Sequence, residues 1–397
     1  MKNNPKNIAL VHDWFLTNSF GGAEKVTKLI DQYLSSKYQE PDIFCIAENI
    51  SDSKVLNLFP ERKIKTTFIQ KLPYGNKKVQ YYLPLIPFAI EQLDLSKYNL
   101  IISSSHLAAK GILISPNQLH ISYIHTPMRY AWDQMNTYLA QSKLSKFGLE
   151  FLIRYTLFKL RQWDFLSSRR PDYLIANSKF TSQRIKKYWG LDSEVIHPPV
   201  NIERFNFKKN RSNFYLTVNR LVPNKRIDLL IKSFNKLNLP LIIVGDGPEM
   251  NKLKKMANNN IKFFCNTNDQ GVAKLMSECR AFVYSGIEDF GIAPVEAMAA
   301  GAPVIALGKG GLLDTVIDYR NHSKGKCPTG IFFKEQSEAC ITDTINWFED
   351  KNLWEKFNPK DINNHSKKFK SEEFTYKFSN FTDKVIESFD HKNIQYY

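Results

Sequence analysis

The chain has 397 residues, 43% of them hydrophobic and 24% charged, which is the composition of a globular protein with room for two domains. Its 55 lysines and arginines against 39 aspartates and glutamates give a net charge of +16, which points to nucleic acid, an anionic membrane surface or an anionic lipid-linked substrate as a partner. The five cysteines are scattered without a C-x-x-C pair, which argues against a zinc site or disulfide framework and favours a reducing environment.

Hydropathy gives no sign of membrane insertion. No apolar run approaches the ~18 to 20 residues of a membrane span. Residues 1–7 lead into a strand-like segment without the apolar region of a signal peptide. We therefore expect a cytoplasmic protein, at most peripheral on the inner face of the cytoplasmic membrane.

Strands and helices alternate along the first half of the chain. Ile8–Val11 predicts a strand, Gly21 and Gly22 predict a turn, and Ala23–Leu34 has the apolar spacing of an amphipathic helix. Short apolar runs predict further strands, and a long helix is predicted before the last of them. These strands are Ile43–Ala47, Leu100–Ser103, Ile121–Ile124 and Tyr173–Ala176, with the helix at about residues 145–168.

A basic stretch lies between the second and third predicted strands. From Arg62 to Ile90 there are six basic residues and no acidic one, with aromatic residues interleaved. Basic residues near an anionic leaflet contribute roughly 1 kcal/mol each, so this stretch is either a membrane contact or a solvated basic surface. No nucleic-acid-binding module accompanies the charge, so we expect no nucleic-acid partner. The basic residues are Arg62, Lys63, Lys65, Lys71, Lys77 and Lys78.

The prolines after His197 predict a linker between two domains. Strands and helices alternate again beyond it, and this alternation predicts a second parallel α/β sheet. The predicted strands are Tyr215–Val218, Leu241–Val244, Ile261–Phe264, Ala281–Tyr284 and, as the last, Val304–Ala306, with a helix at about Arg226–Leu237 and a Lys-rich helix after Pro248. We place the domains at residues 1–197 and 198–373, followed by a C-terminal helix, residues 374–397, that packs back on the first domain.

The segment from Ser285 to Gly311 carries the strongest functional pattern. Glu288 and Glu296 are separated by seven residues, Pro294 suits the first turn of a helix, and Gly301 suits the position after its last turn. Glu288 is therefore predicted on a loop and Glu296 inside the helix that follows it.

Backbone groups around this helix are predicted to contact a ligand. The N–H groups of Phe290, Gly291 and Ile292 at the helix start would point toward hydroxyl or phosphate oxygens. Gly310 and Gly311 form a second turn, where the backbone can approach a ligand closely.

This E-x7-E element resembles that of glycosyltransferase family 4. These are retaining, nucleotide-sugar-dependent enzymes of GT-B fold, with two Rossmann-like, doubly wound parallel-sheet domains facing a cleft. The run from His125 to Tyr130, together with the E-x7-E element, is similar to GDP-mannose-dependent mannosyltransferases of bacterial O-antigen and other surface-polysaccharide assembly. The resemblance implies transfer of mannose from GDP-mannose to a glycan or lipid-linked glycan. A UDP-sugar-dependent glucosyl- or N-acetylglucosaminyltransferase and a catalytically silent sugar-nucleotide-binding subunit are the alternatives.

The resemblance also assigns catalytic and donor-binding roles. Glu288 would contact the sugar hydroxyls and Glu296 the ribose diol. Arg220 and Lys225, five residues apart as in the family, would hold the diphosphate as its negative charge grows. Many relatives have Gly before this Arg, whereas this chain has Asn219.

Further roles follow from the first half of the chain. Gly21 and Gly22, in the run from Ser19 to Glu24, would approach the diphosphate. His125 would contact the donor sugar by hydrogen bonds, and Arg129 and Asp133, with Trp132, would shape the acceptor side. The base would be read by backbone around Phe264–Asn266 and at the turn near Gly271.

No metal or other cofactor is expected. The D-x-D triplet of metal-dependent GT-A enzymes does not occur. The run from Gly245 begins G-x-G but has Met250 at its last position, so the dinucleotide-binding fingerprint fails, and there is no P-loop.

Overall fold

The chain forms two compact units, described here from a computed structural model. The structure describes residues 5, 7–17, 21–50, 58–136, 139, 150–265, 267–321, 325 and 327–394. The first unit comprises Met1–Pro198 together with Phe374–Tyr397, and the second comprises Pro199–Glu373.

The first unit is built on a parallel seven-stranded sheet with the order β3-β2-β1-β4-β5-β6-β7. Alternate residues of β1 enter two hydrophobic clusters: Ala9 and Val11 one, Ile8 and Leu10 the other. The sheet is thus covered on both faces, as parallel sheets generally are. Its strands are β1 Ile8–Phe15, β2 Asp42–Glu48, β3 Ile64–Thr66, β4 Leu100–Ser105, β5 Leu119–Ile124, β6 Tyr173–Ala176 and β7 Glu194–Val195.

Helices connect these strands and end where the sequence supplies caps. Helix α4 begins after Ser178, whose side chain accepts a hydrogen bond from the Thr181 N–H, and it ends at Gly190, which has a φ of +73°. The helices of this part are α1 Gly22–Lys37, α2 Ile86–Glu91, α3 Glu150–Ser167 and α4 Lys179–Trp189. Short 3-10 helices span Phe68–Lys71, Val79–Leu85 and Ala109–Gly111.

The second unit contains a parallel six-stranded sheet with the order β10-β9-β8-β11-β12-β13. The strands are β8 Tyr215–Val218, β9 Leu241–Val244, β10 Ile261–Phe264, β11 Ala281–Tyr284, β12 Val304–Leu307 and β13 Gly330–Phe333. Its helices are α5 Ile227–Leu237, α6 Met250–Met256, α7 Asp269–Glu278, α8 Ile292–Ala299, α9 Leu312–Thr315, α10 Glu338–Asp350, α11 Leu353–Lys356 and α12 Pro359–Ser366. Two 3-10 helices span Pro223–Lys225 and Lys367–Phe369.

The two parallel sheets confirm the predicted α/β class, whereas three strands escaped prediction. The prediction that Val304–Ala306 is the last strand was wrong, because a further strand, β13, pairs with β12 along residues 304–307. Strands β3 and β7 have only three and two residues, too few for a periodic signal. Strand β1 runs four residues beyond Val11, because His12 and Asp13 are buried rather than part of a turn. The predicted helix at 145–168 is described from Glu150, and its first residues lie outside the described part.

The C-terminal helix α13, Ser371–Ile394, joins the core of the first unit. Phe374, Phe378 and Val385 are buried in the same cluster as Ile8 of β1. The hydroxyl of Tyr38 donates to Asp383 of α13 at 2.7 Å.

Each sheet has a topological switch point. Strand β1 lies between β2 and β4, and β8 lies between β9 and β11, so the connections leaving the central strand diverge there. Loops at the carboxyl ends of such strands form a crevice, which is where ligands bind in open α/β sheets.

Candidate functional site

The segment after β11 places the two predicted glutamates as expected from the local sequence. Glu288 lies on the loop and Glu296 lies within α8. The helix begins after Gly291, which has a φ of +97°, and Gly301 beyond its end has a φ of +73°. Phe290 is buried, and its ring lies 5.6 Å from that of Phe369. Phe290 and Gly291 precede the helix, which begins at Ile292 with N–H groups that have no intrahelical partner. The predicted contact of residues 290–292 with a ligand stays a prediction.

Glu288 is held by two side chains from the β8 and β11 ends. Its Oε1 forms an ion pair with Lys225 and accepts a hydrogen bond from the Tyr284 hydroxyl. About one fifth of the Lys225 and Glu288 side chains is exposed. Tyr284, the last residue of β11, was not predicted as a site residue. Its position at the end of a predicted strand could have indicated it.

One hydroxyl ties the loop after β8 to the loop after β11. Ser285 Oγ donates to the carbonyl oxygens of Lys225 and Arg226, both at 2.9 Å. The main chain around Lys225 is thereby fixed against the segment that carries Glu288.

Arg220 lies on the same β8 loop as Lys225, and its side chain is exposed. The preceding Asn219, where many relatives have Gly, is buried, and its amide donates to Thr217 Oγ1 at 2.8 Å. Asn219 therefore has a hydrogen-bond partner within the second unit, and Arg220 beside it is exposed.

Glu296 belongs to a set of three charged side chains, linked by ion pairs, that the sequence did not indicate. Arg204 Nη2 donates to Glu296 Oε1 at 2.6 Å, and Arg204 Nη1 lies 2.8 Å from Asp269 Oδ2. Glu296 is 9% exposed, whereas Asp269 is almost fully exposed. Arg204 thus orients a largely buried carboxylate from a position 92 residues earlier in the chain. No local pattern marks it.

The glycine turn after β12 packs against the Glu288 loop. The Gly311 N–H donates to the Glu288 carbonyl oxygen at 2.8 Å. A Cβ on Gly310 would lie 2.5 Å from that oxygen, and one on Gly311 would lie 2.2 Å from the Asp289 oxygen. Both glycines are therefore required by backbone contact, and their predicted donor contact stays a prediction.

The first unit gathers a second polar group at the carboxyl ends of β1, β4 and β5. His125 Nε2 lies 2.8 Å from Ser104 Oγ, and Thr27 Oγ1 donates to that same oxygen at 2.8 Å. Burial holds the pKa of His125 well below its ordinary value. The imidazole is therefore neutral at physiological pH, the form suited to the hydrogen-bonding role predicted for it.

Gly21 and Gly22 lie at the start of α1, while Ser19 and Phe20 of the same predicted loop lie outside the described residues. The Gly21 N–H donates to Glu24 Oε2 at 2.8 Å. Burial acts to raise the pKa of Glu24, but the His12 and His106 rings and a backbone hydrogen bond together lower that pKa. Glu24 is thus a charged cap for the turn.

Asp13 at the end of β1 was missed, although a buried polar residue at a central strand end was a signal. Its carboxylate accepts the backbone N–H groups of residues 106–109 at 2.6 to 2.9 Å. The His106 ring nitrogen Nδ1 lies 3.2 Å from Asp13 Oδ2. Burial would raise the pKa of Asp13, but His106, His12 and the N–H bonds together lower it. The charged carboxylate thus fixes the loop after β4.

Asp133 lies beside two arginines, Arg129 and Arg184. Arg129 Nε lies 3.6 Å from Asp133 Oδ2, and Arg184 Nη2 donates to Asp133 Oδ1 at 3.0 Å. Trp132 stacks on Tyr188 at 4.7 Å, and its indole N–H donates to Asp164. These contacts give Trp132 a structural anchor. The acceptor role of Arg129 and Asp133 remains a prediction.

The base-reading segment is described only in part. Phe264 is exposed at the end of β10, and Asn266 lies outside the described residues.

Across the described ranges, no helix has the length and hydropathy needed to cross a bilayer. Within those ranges, no three His, Cys, Asp or Glu side chains are grouped as metal ligands would be.

Two family models match the chain in succession. The model of the glycosyltransferase family 4 matches residues 20–204, and that of the glycosyl transferases group 1 matches residues 200–368. Together they extend over both units.

Three curated relatives are similar over parts of the chain. The O-antigen chain mannosyltransferase RfbU of Salmonella typhimurium is 31% identical over 153 residues, covering 35% of this chain and 43% of the relative. The alpha-1,3/1,6-mannosyltransferase ALG2 of Kluyveromyces lactis is 26% identical over 275 residues, 54% of each chain. The GDP-Man:Man(3)GlcNAc(2)-PP-Dol alpha-1,2-mannosyltransferase of Mus musculus is 26% identical over 205 residues, 44% of this chain and 40% of the relative. The chain spans about half the length of the curated relatives it matches.

Solved structures share the fold over almost the whole chain. HepE of Anabaena, in complex with UDP, superposes with a TM-score of 0.67 at 15% identity, covering 95% of this chain and 100% of HepE. The sucrose-phosphate synthase of Thermosynechococcus elongatus superposes with a TM-score of 0.71 at 17% identity, covering 96% and 100%. At these identities the likeness establishes the GT-B fold alone.

Proposed function

The chain belongs to glycosyltransferase family 4, and from that premise we propose that it transfers mannose from GDP-mannose to a lipid-linked glycan in surface-polysaccharide assembly. The observation that carries this proposal is the joining of Lys225, Glu288 and Tyr284 at the switch point of the second sheet. A cation and a carboxylate fixed on adjacent strand ends suit a ligand that carries both phosphate and sugar hydroxyls.

Each group has a separate task in this proposal. Glu296, oriented by Arg204, accepts hydrogen bonds from the ribose diol. The N–H groups at the α8 start and the Lys225 ammonium bind the diphosphate, which competes with Glu288 for that ammonium. Glu288 then binds the sugar hydroxyls.

Retention of configuration, which the family resemblance implies, is assigned to front-face transfer. The bond between the sugar C1 and the phosphate oxygen breaks, and its electron pair stays on the diphosphate. The acceptor oxygen forms a bond to C1 from the same side, and its proton passes to the departing phosphate oxygen. Lys225 and Arg220 stabilise the charge that develops on that oxygen, so their contribution is larger in the transition state than in the ground state.

The relatives support the choice of donor and acceptor. Their names specify mannosyl transfer, one of them from GDP-mannose to a PP-Dol-linked glycan. HepE, whose complex contains UDP, supports a nucleotide partner only through the shared fold. We therefore propose GDP-mannose as the donor and, because the sequence has no D-x-D triplet, binding without a metal.

Thermal stability in the presence of nucleotides tests this assignment. A ligand bound only by the folded state at 100 times its Kd adds about 2.7 kcal/mol to the free energy of unfolding. GDP and GDP-mannose should raise the Tm, whereas UDP, ADP, UDP-glucose and UDP-N-acetylglucosamine should not. Selectivity for UDP compounds would overturn the mannosyl assignment. A Tm that no nucleotide raises would overturn donor binding itself.

The transfer step needs its own assay. We expect the chain, given GDP-mannose and a membrane lipid extract, to release GDP and to place labelled mannose in the lipid fraction. The Glu296→Gln variant is the control for dependence on the donor, because weaker donor binding should lower both GDP release and labelling of the lipid. Donor binding without any transfer to lipid would refute the acceptor assignment while leaving the donor assignment intact.

A further inference from the structure

Helix α3 of the first unit presents an apolar row that the core does not use. Leu157, Leu160 and Ser167 are buried on one side of the helix. Six large apolar side chains on its other sides are exposed, and Phe151 is 76% exposed. These are Phe151, Leu152, Tyr155, Phe158, Phe165 and Leu166. Exposed apolar side chains concentrated along one helix in this way mark an interaction surface.

Cations accompany the exposed row, and its acids are neutralised. Lys159 Nζ lies 5.6 Å from the Tyr155 ring centre and 5.8 Å from that of Phe158. Of the acidic residues of α3, Glu150 pairs with Arg154, and Asp164 is buried against Lys110 at 2.7 Å. The outer side of the helix is therefore apolar and positively charged.

The second part of this surface lies in residues 68–88. Tyr81 is 69% exposed, and other large apolar side chains here are exposed as well. Lys78 Nζ lies 5.9 Å from the Tyr74 ring centre and 5.2 Å from that of Tyr81. The full exposed apolar set is Phe68, Tyr74, Tyr81, Leu85 and Phe88, and the exposed lysines are Lys71, Lys77 and Lys78.

The structure shows which basic residues of the stretch that begins at Arg62 form ion pairs within the unit. Arg62 forms an ion pair with Asp31 at 2.7 Å, and Lys65 forms one with Asp42 at 2.8 Å. These two cations serve the unit itself. Lys63, Lys71, Lys77 and Lys78 are exposed, and three of these four lysines lie at residues 71–78, beside the exposed aromatic side chains.

The two parts adjoin through a shared core. Glu91, at the end of α2, accepts hydrogen bonds from Trp163 of α3 at 2.8 Å and from Arg170 at 2.6 Å. Ile86 and Ala89 of α2 lie in the same hydrophobic cluster as Leu157 and Leu160 of α3. The aromatic–basic surface, defined as the exposed side chains of residues 68–88 and 151–166, is thus carried by segments that pack on one hydrophobic cluster.

We propose that the aromatic–basic surface docks the protein on an anionic phospholipid bilayer. Aromatic side chains favour the headgroup level of a membrane, and each lysine near an anionic leaflet strengthens binding about fivefold. Aliphatic side chains such as Leu152 and Leu166 bury in lipid but do not stack on bases, which disfavours nucleic acid. A second copy would bring like charges together. The proposal does not rest on the donor assignment, because vesicle binding needs no nucleotide.

Vesicle co-sedimentation of the full chain tests this docking. We expect binding to phosphatidylcholine vesicles that contain phosphatidylglycerol, weaker binding at high salt, and little binding to phosphatidylcholine alone. A triple variant, Lys71→Gln, Lys77→Gln and Lys78→Gln, should weaken binding roughly a hundredfold, since three cations at about fivefold each are removed. The matched control changes three exposed lysines of the second unit, Lys351, Lys356 and Lys360, to Gln and should bind as the unchanged chain does.

A second variant separates apolar insertion from charge. Phe151→Ser with Tyr155→Ser alters only exposed positions, so the Tm should stay within a few degrees while vesicle binding weakens at least tenfold. Equal loss in the control triple variant, or no binding to anionic vesicles, would overturn the proposal. So would tighter binding to an oligonucleotide than to vesicles, or a dimer in solution that this double variant dissociates.

Discussion

Replacing Lys225 with Ala isolates the group assigned to the departing diphosphate. The side chain ends on Glu288, and the Tyr284 hydroxyl remains on that carboxylate after the ammonium is removed. Because both charged side chains are about one-fifth exposed, loss of the pair should lower the free energy of unfolding by about 1 to 3 kcal/mol, between the surface and buried cases. The variant should therefore fold.

The larger effect is expected on catalysis. Removal of one group that stabilises transition-state charge typically lowers kcat about 100- to 1,000-fold, or roughly 2.7 to 4 kcal/mol. If the ammonium acts mainly on the developing charge, the Kd for GDP-mannose should rise less than about tenfold. The measurements are initial rates of GDP release with the lipid extract and titration calorimetry with GDP-mannose.

Arg226→Gln supplies the matched control on the same loop. The Arg226 guanidinium pairs with Asp228 at 3.1 Å, apart from the Lys225–Glu288 pair, so kcat should change less than twofold. A weaker affinity for GDP-mannose with kcat unchanged in Lys225→Ala would refute the transition-state role, because it would show uniform binding instead.

Three further changes test other parts of the structure. Glu296→Gln should weaken GDP binding about 10- to 100-fold in calorimetry, since a hydrogen bond to a charged group contributes about 1.5 to 3 kcal/mol, and unchanged affinity would reverse the ribose assignment. Gly291→Ala should lower the free energy of unfolding by about 1 to 3 kcal/mol in a denaturant titration, because φ is +97° and the new Cβ would lie 2.5 Å from Leu312 Cδ2; an unchanged midpoint would contradict this. Burial lowers the pKa of His120 to about 3, so between pH 6.5 and 3 the unfolded chain takes up a proton that the folded chain does not, and stability falls as the pH is lowered. His120→Gln should reduce that slope by about 1.4 kcal/mol per pH unit, and an unaltered slope would show that His120 is not the titrating group.

The sequence predicted the elements that carry their own local signal. Strands such as Tyr215–Val218 are apolar runs, and Glu288 and Glu296 lie around a helix whose start and end are marked by Pro and Gly. The edge strand Gly330–Phe333 was missed, because it begins with Gly and offers only three consecutive apolar residues.

Long-range partners were also beyond the sequence. Arg204 meets Glu296 across 92 residues, and Asp13 meets the main chain of residues 106–109 across more than 90. Such pairs are fixed by which strands become neighbours in the sheet, and strand order is set by packing rather than by local propensity.

The assignment of α13 to the first unit has a consequence for biosynthesis. Phe374, Phe378 and Val385 complete a cluster that begins with Ile8, so this core lacks three of its members until residue 385 has left the ribosome. The second unit, Pro199–Glu373, contains all of its own strands and is complete earlier. At about 5 to 20 residues per second, the first unit waits on the order of ten seconds or more after its own last strand is made. Although it is synthesised first, it is the unit whose core is completed last, and during that interval the partners of Phe374, Phe378 and Val385 lack their cover.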